Sequence, residues 1–248
     1  MSEKTAPLTE HLEDLRKVLI RTFIAVFLGT AVSYGVFLDR AMSIVVGPLN
    51  RLNQELVFLT VTEGFFTHLK VAFFAGIILA SPVIIWQILS FVLPALYSHE
   101  KRVFFPLFFL GILLFISGIA FAYLFVLELG LKFLLINFSG GLTPMISVSK
   151  YVSFVITFLL PFGIVFEIPL VAYFLTRMGI VTPQYLRQKR RYVIFIIFVL
   201  AAILTPPDII SQILLAFPML VLYEISIIIS ALLYRKKQKE KIEEDENL

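Results

Sequence analysis

Glu167 is the only charged side chain between Tyr151 and Thr176, in the stretch IVFEIPL. If that stretch crosses a membrane, the cost of placing a charge there is roughly 3 kcal/mol on insertion scales, so the residue calls for a reason. It could exchange a proton, offer a polar contact to a passing segment, or bond to a carbonyl that a proline has freed. Pro161 and Pro169 free the carbonyls of Thr157 and Val165, and such a structural acid needs no function at all.

Three other polar stretches interrupt the apolar chain: HLEDLRK (His11 to Lys17), ALYSHEKR (Ala95 to Arg102) and TPPD (Thr205 to Asp208). An ordinary helix entry explains the first, with acids early and bases at the membrane. An ordinary basic loop explains most of the second. Glu100 is the residue such a loop does not require, because carboxylates contribute little to orientation. Glu100 and Asp14 on one membrane face could receive a guanidinium pair through bidentate hydrogen bonds. Glu128 lies four residues before Lys132, which suits a helical ion pair, and Glu224 fits an interfacial position.

Enzyme chemistry finds no constellation. His99-Glu100 would begin HExxH, but position 103 is Val, and His11, His68 and His99 fall on separate segments. There is no GxSxG elbow, no phosphate-cradling GxxxxGK[ST], and no cysteine. No cofactor, no metal site and no nucleic-acid partner is expected.

The elements that must hold these residues are membrane helices. Of the 248 residues, 59% are hydrophobic and 15% charged, with mean hydropathy +0.95. So little polar surface cannot enclose a soluble core of this size. The first seventeen residues carry four acids and no apolar core, so a cleaved signal peptide is not expected. A span needs about 20 apolar residues, and six stretches qualify or come near: 18–38, 65–96, 103–127, 151–176, 192–205 and 209–234. The fold class expected is therefore all-α, a polytopic membrane protein with six transmembrane helices. Residues 1–234 would form a single integral membrane domain, followed by a charged tail over 235–248.

Six spans place both termini on one side. Sixteen of the 21 Lys and Arg residues fall on that side, leaving Arg40, Arg51, Lys70, Lys132 and Lys150 on the other. The positive-inside rule makes both termini cytoplasmic. The outward connections, 39–64 and 128–150, are partly apolar and suggest short interfacial helices. Pro82 and Pro94 suggest a tilt or kink in the second span. The fifth span has only 14 residues, about 21 Å of helix, so TPPD should stop below the outer surface with Asp208 recessed but wet.

Five segments in this order and spacing, LTEHLEDLRK, FVLPALYSHEKR, GIVFEIPL, LRQKRRY and LTPPDIISQ, resemble the TatC family of the twin-arginine protein translocase. The resemblance runs from Leu8 to about Tyr234. It implies a cup-shaped receptor in a bacterial cytoplasmic (inner) membrane that binds twin-arginine signal peptides of folded cargo. It also implies recruitment of the single-span partners TatA and TatB, export driven by the proton-motive force, and homo- and hetero-oligomers in contact with lipid. By motif match Glu100 would engage the arginines, Asp14 and Arg16 would complete the patch, and Phe91 and Pro94 would shape the end of the second span. The family often has Glu where this chain has Asp14, so either Asp14 or Glu13 could point at ligand. Glu167 would line the concave face, Thr205, Asp208 and Gln212 would lie near partner helices, and Pro48 would support function from the first outward loop. The competing class is a proton-coupled secondary transporter using Glu167. That class predicts inverted repeats and a solute pocket, and the sequence shows neither.

Overall fold

The computed structural model describes residues 8–92, 104–137, 145–204 and 209–246. They are almost wholly helical: α1 (Leu8–Val32), α2 (Leu38–Arg51), α3 (Glu63–Val92), α4 (Phe104–Phe121), α5 (Leu127–Lys132), α6 (Val148–Phe166), α7 (Ile168–Arg177), α8 (Pro183–Leu204) and α9 (Ile209–Glu246). Short π-helical segments join α1 to α2 (Ser33–Phe37) and α4 to α5 (Ala122–Val126), and another follows α5 (Phe133–Asn137). Two strands of two residues, β1 (Leu56–Val57) and β2 (Ile146–Ser147), complete the elements, paired in parallel with Leu56 opposite Ile146.

Among the described residues, five helical runs are long and apolar enough to cross a membrane: Leu12–Arg51, Glu63–Phe91, Phe104–Leu135, Val148–Arg177 and Gln212–Gln238. The sixth expected span falls in α8, whose first half carries Arg187, Lys189, Arg190 and Arg191 and whose apolar half is short. Residues 128–137 depart from the expectation of a separate interfacial helix. They continue the third span, and Lys132 donates to Glu128 at 2.8 Å one turn away. The fourth span is broken at Glu167, since Pro169 has no N–H for the carbonyl of Val165. α7 starts afresh with that proline in its first turn, a position where the missing donor costs nothing.

The chain divides into two compact units, residues 1–112 with 145–156, and residues 113–144 with 157–248. In the first, α1 and α3 touch backbone to backbone. A Cβ at Gly76 would stand 2.5 Å from the Thr30 nitrogen, and one at Gly29 would stand 2.6 Å from the Gly76 oxygen. Only glycine permits that approach. Buried Val71, Ala72 and Phe74 on α3 and Val45 and Leu49 on α2 form the core of this unit with Tyr151, Val152 and Val155 of α6. The Tyr151 hydroxyl donates to the Val45 carbonyl at 2.9 Å. In the second unit Gly118 faces the Phe162 carbonyl and Gly163 lies beneath the Phe115 ring, again too close for a Cβ. There α7 and α9 are joined by the buried Thr176 and Ser230 hydroxyls at 2.7 Å.

Candidate functional site

The acidic patch expected at the N-terminus begins α1. Glu13, Asp14 and Arg16 are all exposed. Lys17 sits 3.5 Å from Asp14 and 3.8 Å from Glu13, one turn along the same helix. Pairs this exposed contribute about 0.5 kcal/mol or less, so either carboxylate can exchange Lys17 for an incoming cation at little cost. Acids in the first turns also suit the positive end of the helix dipole. Phe91 lies in the last turn of α3, half-buried. Pro94 and Glu100, the other two members of the expected patch, lie outside the described residues, as do Thr205 and Asp208.

Glu167 occupies the break between α6 and α7. Its backbone N–H donates to the Ile164 carbonyl at 3.0 Å and its carbonyl accepts from Val171 at 2.9 Å, so the main chain is satisfied on both sides. The side chain is not. Glu167 is half-buried, and its Oε1 is shielded from solvent with no hydrogen-bond partner. A bond to a proline-freed carbonyl, the bland explanation, is therefore not what holds this oxygen. An unpaired polar atom away from water costs about 1–3 kcal/mol, and a donor from a bound segment would recover it.

Gln212, expected near partner helices, uses its Nε2 to donate to the Phe198 carbonyl at 3.0 Å, joining the start of α9 to α8. Pro48 is buried within α2 beside the fully buried Leu49. Glu224 receives Arg190 at 2.5 Å, an exposed pair at the level of the RQKRR run. Nearby the Tyr223 hydroxyl donates to the Leu186 carbonyl at 2.8 Å. Lys237 donates to the Arg177 carbonyl at 3.2 Å, closing the carboxyl end of α7 with a cation as its dipole favours.

Sequence reasoning did not single out Glu63. Its Oε2 accepts the N–H groups of Leu59 (2.6 Å) and Thr60 (3.3 Å), and its Oε1 accepts Ser149 N–H (2.9 Å) and the Ser147 hydroxyl. Ser147 in turn caps α6 by accepting Lys150 N–H at 3.3 Å. Lys70, two turns into α3, donates to the hydroxyls of Ser149 (3.1 Å) and Ser153 (2.8 Å). The acid in the first turn of α3 was visible as a helix-start signal. Its partners, more than 80 residues away, were not.

Comparison with known proteins bears on what these features serve. The chain matches the family described as "Sec-independent protein translocase protein (TatC)" over residues 10–218. It is 45% identical over 239 residues to the Sec-independent protein translocase protein TatC of Carboxydothermus hydrogenoformans, covering 96% of this chain and 98% of that one. It is 46% identical to the Aquifex aeolicus protein of the same name over 237 residues, 94% of this chain and 98% of that one. The Escherichia coli K12 protein is 40% identical over 231 residues, 92% and 89% of the two chains. A crystal structure described as the twin arginine translocase receptor TatC superposes with TM-score 0.82 at 45% identity, covering 89% of this chain and 97% of that one. A second, in the detergent DDM, gives 0.83 with 89% and 99% covered.

Proposed function

This chain belongs to the TatC family of Sec-independent protein translocase proteins, and from that premise we propose that it is the receptor and core subunit of a twin-arginine translocase. It binds the signal peptides of folded cargo and recruits TatA and TatB for export driven by the proton-motive force. The family is one of translocation components, not of enzymes. The carrying observation is the likeness, over 89% of the chain, to a crystal structure of a protein described as a twin arginine translocase receptor.

In this reading the protein sits in a bacterial cytoplasmic membrane with both termini inside, as the sixteen-to-five division of Lys and Arg favours. Glu100 takes the signal-peptide arginines. Exposed Asp14 or Glu13 contributes a second carboxylate, Arg16 helps orient the patch, and Phe91 and Pro94 flank it. A guanidinium fork matches a carboxylate in a way that an ammonium cannot, which is the physical reason a receptor of this kind selects arginine over lysine. Glu167, with a shielded oxygen lacking a donor, supplies a polar contact to a partner helix or to the apolar part of the signal peptide. Thr205, Asp208 and Gln212 mark where partner helices approach, and Pro48, inside α2, supports function from the first outward connection.

The test is site-specific crosslinking of a twin-arginine signal peptide to positions around Glu100, with peptide affinity measured for wild type and Glu100→Gln. Loss of one partner of a charge-assisted pair costs about 2–5 kcal/mol when the pair is desolvated, so Glu100→Gln should weaken binding by tenfold or more while inserting normally. A twin-lysine peptide should behave like the mutant. Equal affinity of both proteins for the twin-arginine peptide removes Glu100 from the site.

A further inference from the structure

An open groove of about 570 Å³ runs along the seam of α1 and α3. Its walls are apolar along most of their length, with Ile24, Leu28 and Val32 on α1 and Leu79 and Val83 on α3, but Arg21 and Gln87 line it too. Consecutive spans run in opposite directions. Arg21, before the Gly29–Gly76 crossing on α1, and Gln87, after it on α3, therefore lie toward the same end, the one where α1 enters the membrane.

No described residue occupies either side chain. Among the described residues Arg21 has no hydrogen bond and no carboxylate within ion-pair distance, and Gln87 has no hydrogen bond. The acids nearest in sequence, Glu13 and Asp14, are shared by Lys17, one turn before Arg21. The depth of this end is marked by Trp86, 39% exposed, which packs edge-on against Phe104 at 4.7 Å and Phe108 at 5.3 Å. Exposed tryptophan is enriched at the headgroup level of a bilayer. From Arg21 to Val32 the groove extends about 16 Å at 1.5 Å per residue, close to half of a roughly 30 Å hydrocarbon core.

A trough one leaflet deep, apolar below and headed by a free guanidinium and a free amide at headgroup level, has the polarity profile of a single phospholipid. We propose that this groove holds an anionic phospholipid of the leaflet in which α1 begins, one acyl chain lying between α1 and α3 and the phosphate on Arg21 and Gln87. The guanidinium fork receives two phosphate oxygens and the Gln87 amide donates to a third or to the ester carbonyl. The proposal is independent of the receptor reading, because it uses neither Glu100 nor Glu167.

The chain's single tryptophan, Trp86, packs against Phe104 and Phe108 and does not line the groove, so the reporter is a tryptophan in the groove wall, Val83→Trp in a Trp86→Phe background. The full-length protein is reconstituted in phosphatidylcholine vesicles containing a minor fraction of lipid with dibrominated acyl chains, either phosphatidylglycerol or phosphatidylcholine, and quenching of this tryptophan is followed against mole fraction. One basic residue at the headgroup level should favour the anionic lipid roughly fivefold, so brominated phosphatidylglycerol quenches at a correspondingly lower fraction. In the same background Arg21→Gln should bring the two lipids together, and Gln87→Leu, which keeps the cation, should reduce the preference in part. Equal quenching by both lipids with Arg21 and Gln87 in place overturns the proposal. Resistance of the groove tryptophan to both brominated lipids would mean that a protein helix covers the groove, and that too overturns it. A preference that survives Arg21→Gln would place the anion elsewhere and likewise defeat the assignment.

Discussion

The Glu63 carboxylate accepts the Ser147 hydroxyl, a hydrogen bond between residues 84 apart in sequence that ties the start of α3 to the start of α6. The same carboxylate takes Leu59 and Thr60 N–H on one oxygen and Ser149 N–H on the other. Both oxygens are therefore committed as acceptors.

Glu63→Gln should loosen this junction, because glutamine offers one acceptor oxygen where two are used and turns an NH2 toward a backbone donor. The expected outcome is a lower thermal midpoint in detergent and faster proteolytic nicking between residues 52 and 62. An unchanged midpoint with unchanged nicking would show that the four hydrogen bonds contribute nothing net.

Two glycine substitutions should move stability in opposite directions. Gly76→Ala sets a methyl 2.5 Å from the Thr30 backbone nitrogen, and since a Cβ is fixed to its own main chain and meets main chain on α1, no rotamer relieves it. A loss of about 1–3 kcal/mol follows from forced separation of α1 and α3. Gly130→Ala in α5 meets nothing within 4 Å and should gain about 0.5–1 kcal/mol from backbone entropy. Thermal unfolding of the pair of variants checks the sign of each.

Thr176 and Ser230 share a buried hydrogen bond at 2.7 Å between α7 and α9. Thr176→Val and Ser230→Ala should each cost about 1–3 kcal/mol by stranding the other hydroxyl. The double variant should cost clearly less than the two added together, since it strands neither. Strict additivity in unfolding measurements would mean that the two groups do not act as a pair.

Glu167→Gln keeps hydrogen-bonding capacity at the helix break and cannot ionise, whereas Glu167→Leu keeps neither. If the residue works by contact, export of a twin-arginine cargo should largely survive in the Gln variant and fail in the Leu variant. Export abolished equally in both, with normal assembly, would transfer the role to proton exchange.

The absence of native cysteine allows single introduced thiols to report orientation. His99→Cys and Gln188→Cys should resist an impermeant thiol reagent added outside intact cells and react after the membrane is opened. Labelling of either from outside would reverse the orientation.

The membrane architecture was legible because apolar runs and their flanking charges are local signals. The break at Glu167 was half legible. Pro161 and Pro169 announced freed carbonyls, yet only the structure shows that the helix is interrupted at Glu167 itself and that its Oε1 is left without a donor. The helical pairing of Glu128 with Lys132 was legible from their spacing, but two charges just past an apolar run read as the end of the third span, whereas paired at 2.8 Å they let the helix run on without a break. Long-range relations were invisible: nothing near Thr62-Glu63-Gly64 in sequence points to Ser147, and nothing near Gly29 points to Gly76. Of the expected binding patch, the α1 residues are placed, while Glu100 lies outside the described structure.

The clasp between Glu63 and the Ser147–Ser149 turn joins parts of the chain that are made at different times. α1, α2 and α3 can pair as soon as residue 92 has entered the bilayer, whereas the donors from 147 and 149 are synthesised roughly 60 residues later. At about 5–20 residues per second this leaves some 3–12 s in which Glu63 has only Leu59 and Thr60 to bind. All four hydrogen bonds to Glu63 can therefore exist together only once Ser147 and Ser149 have been made.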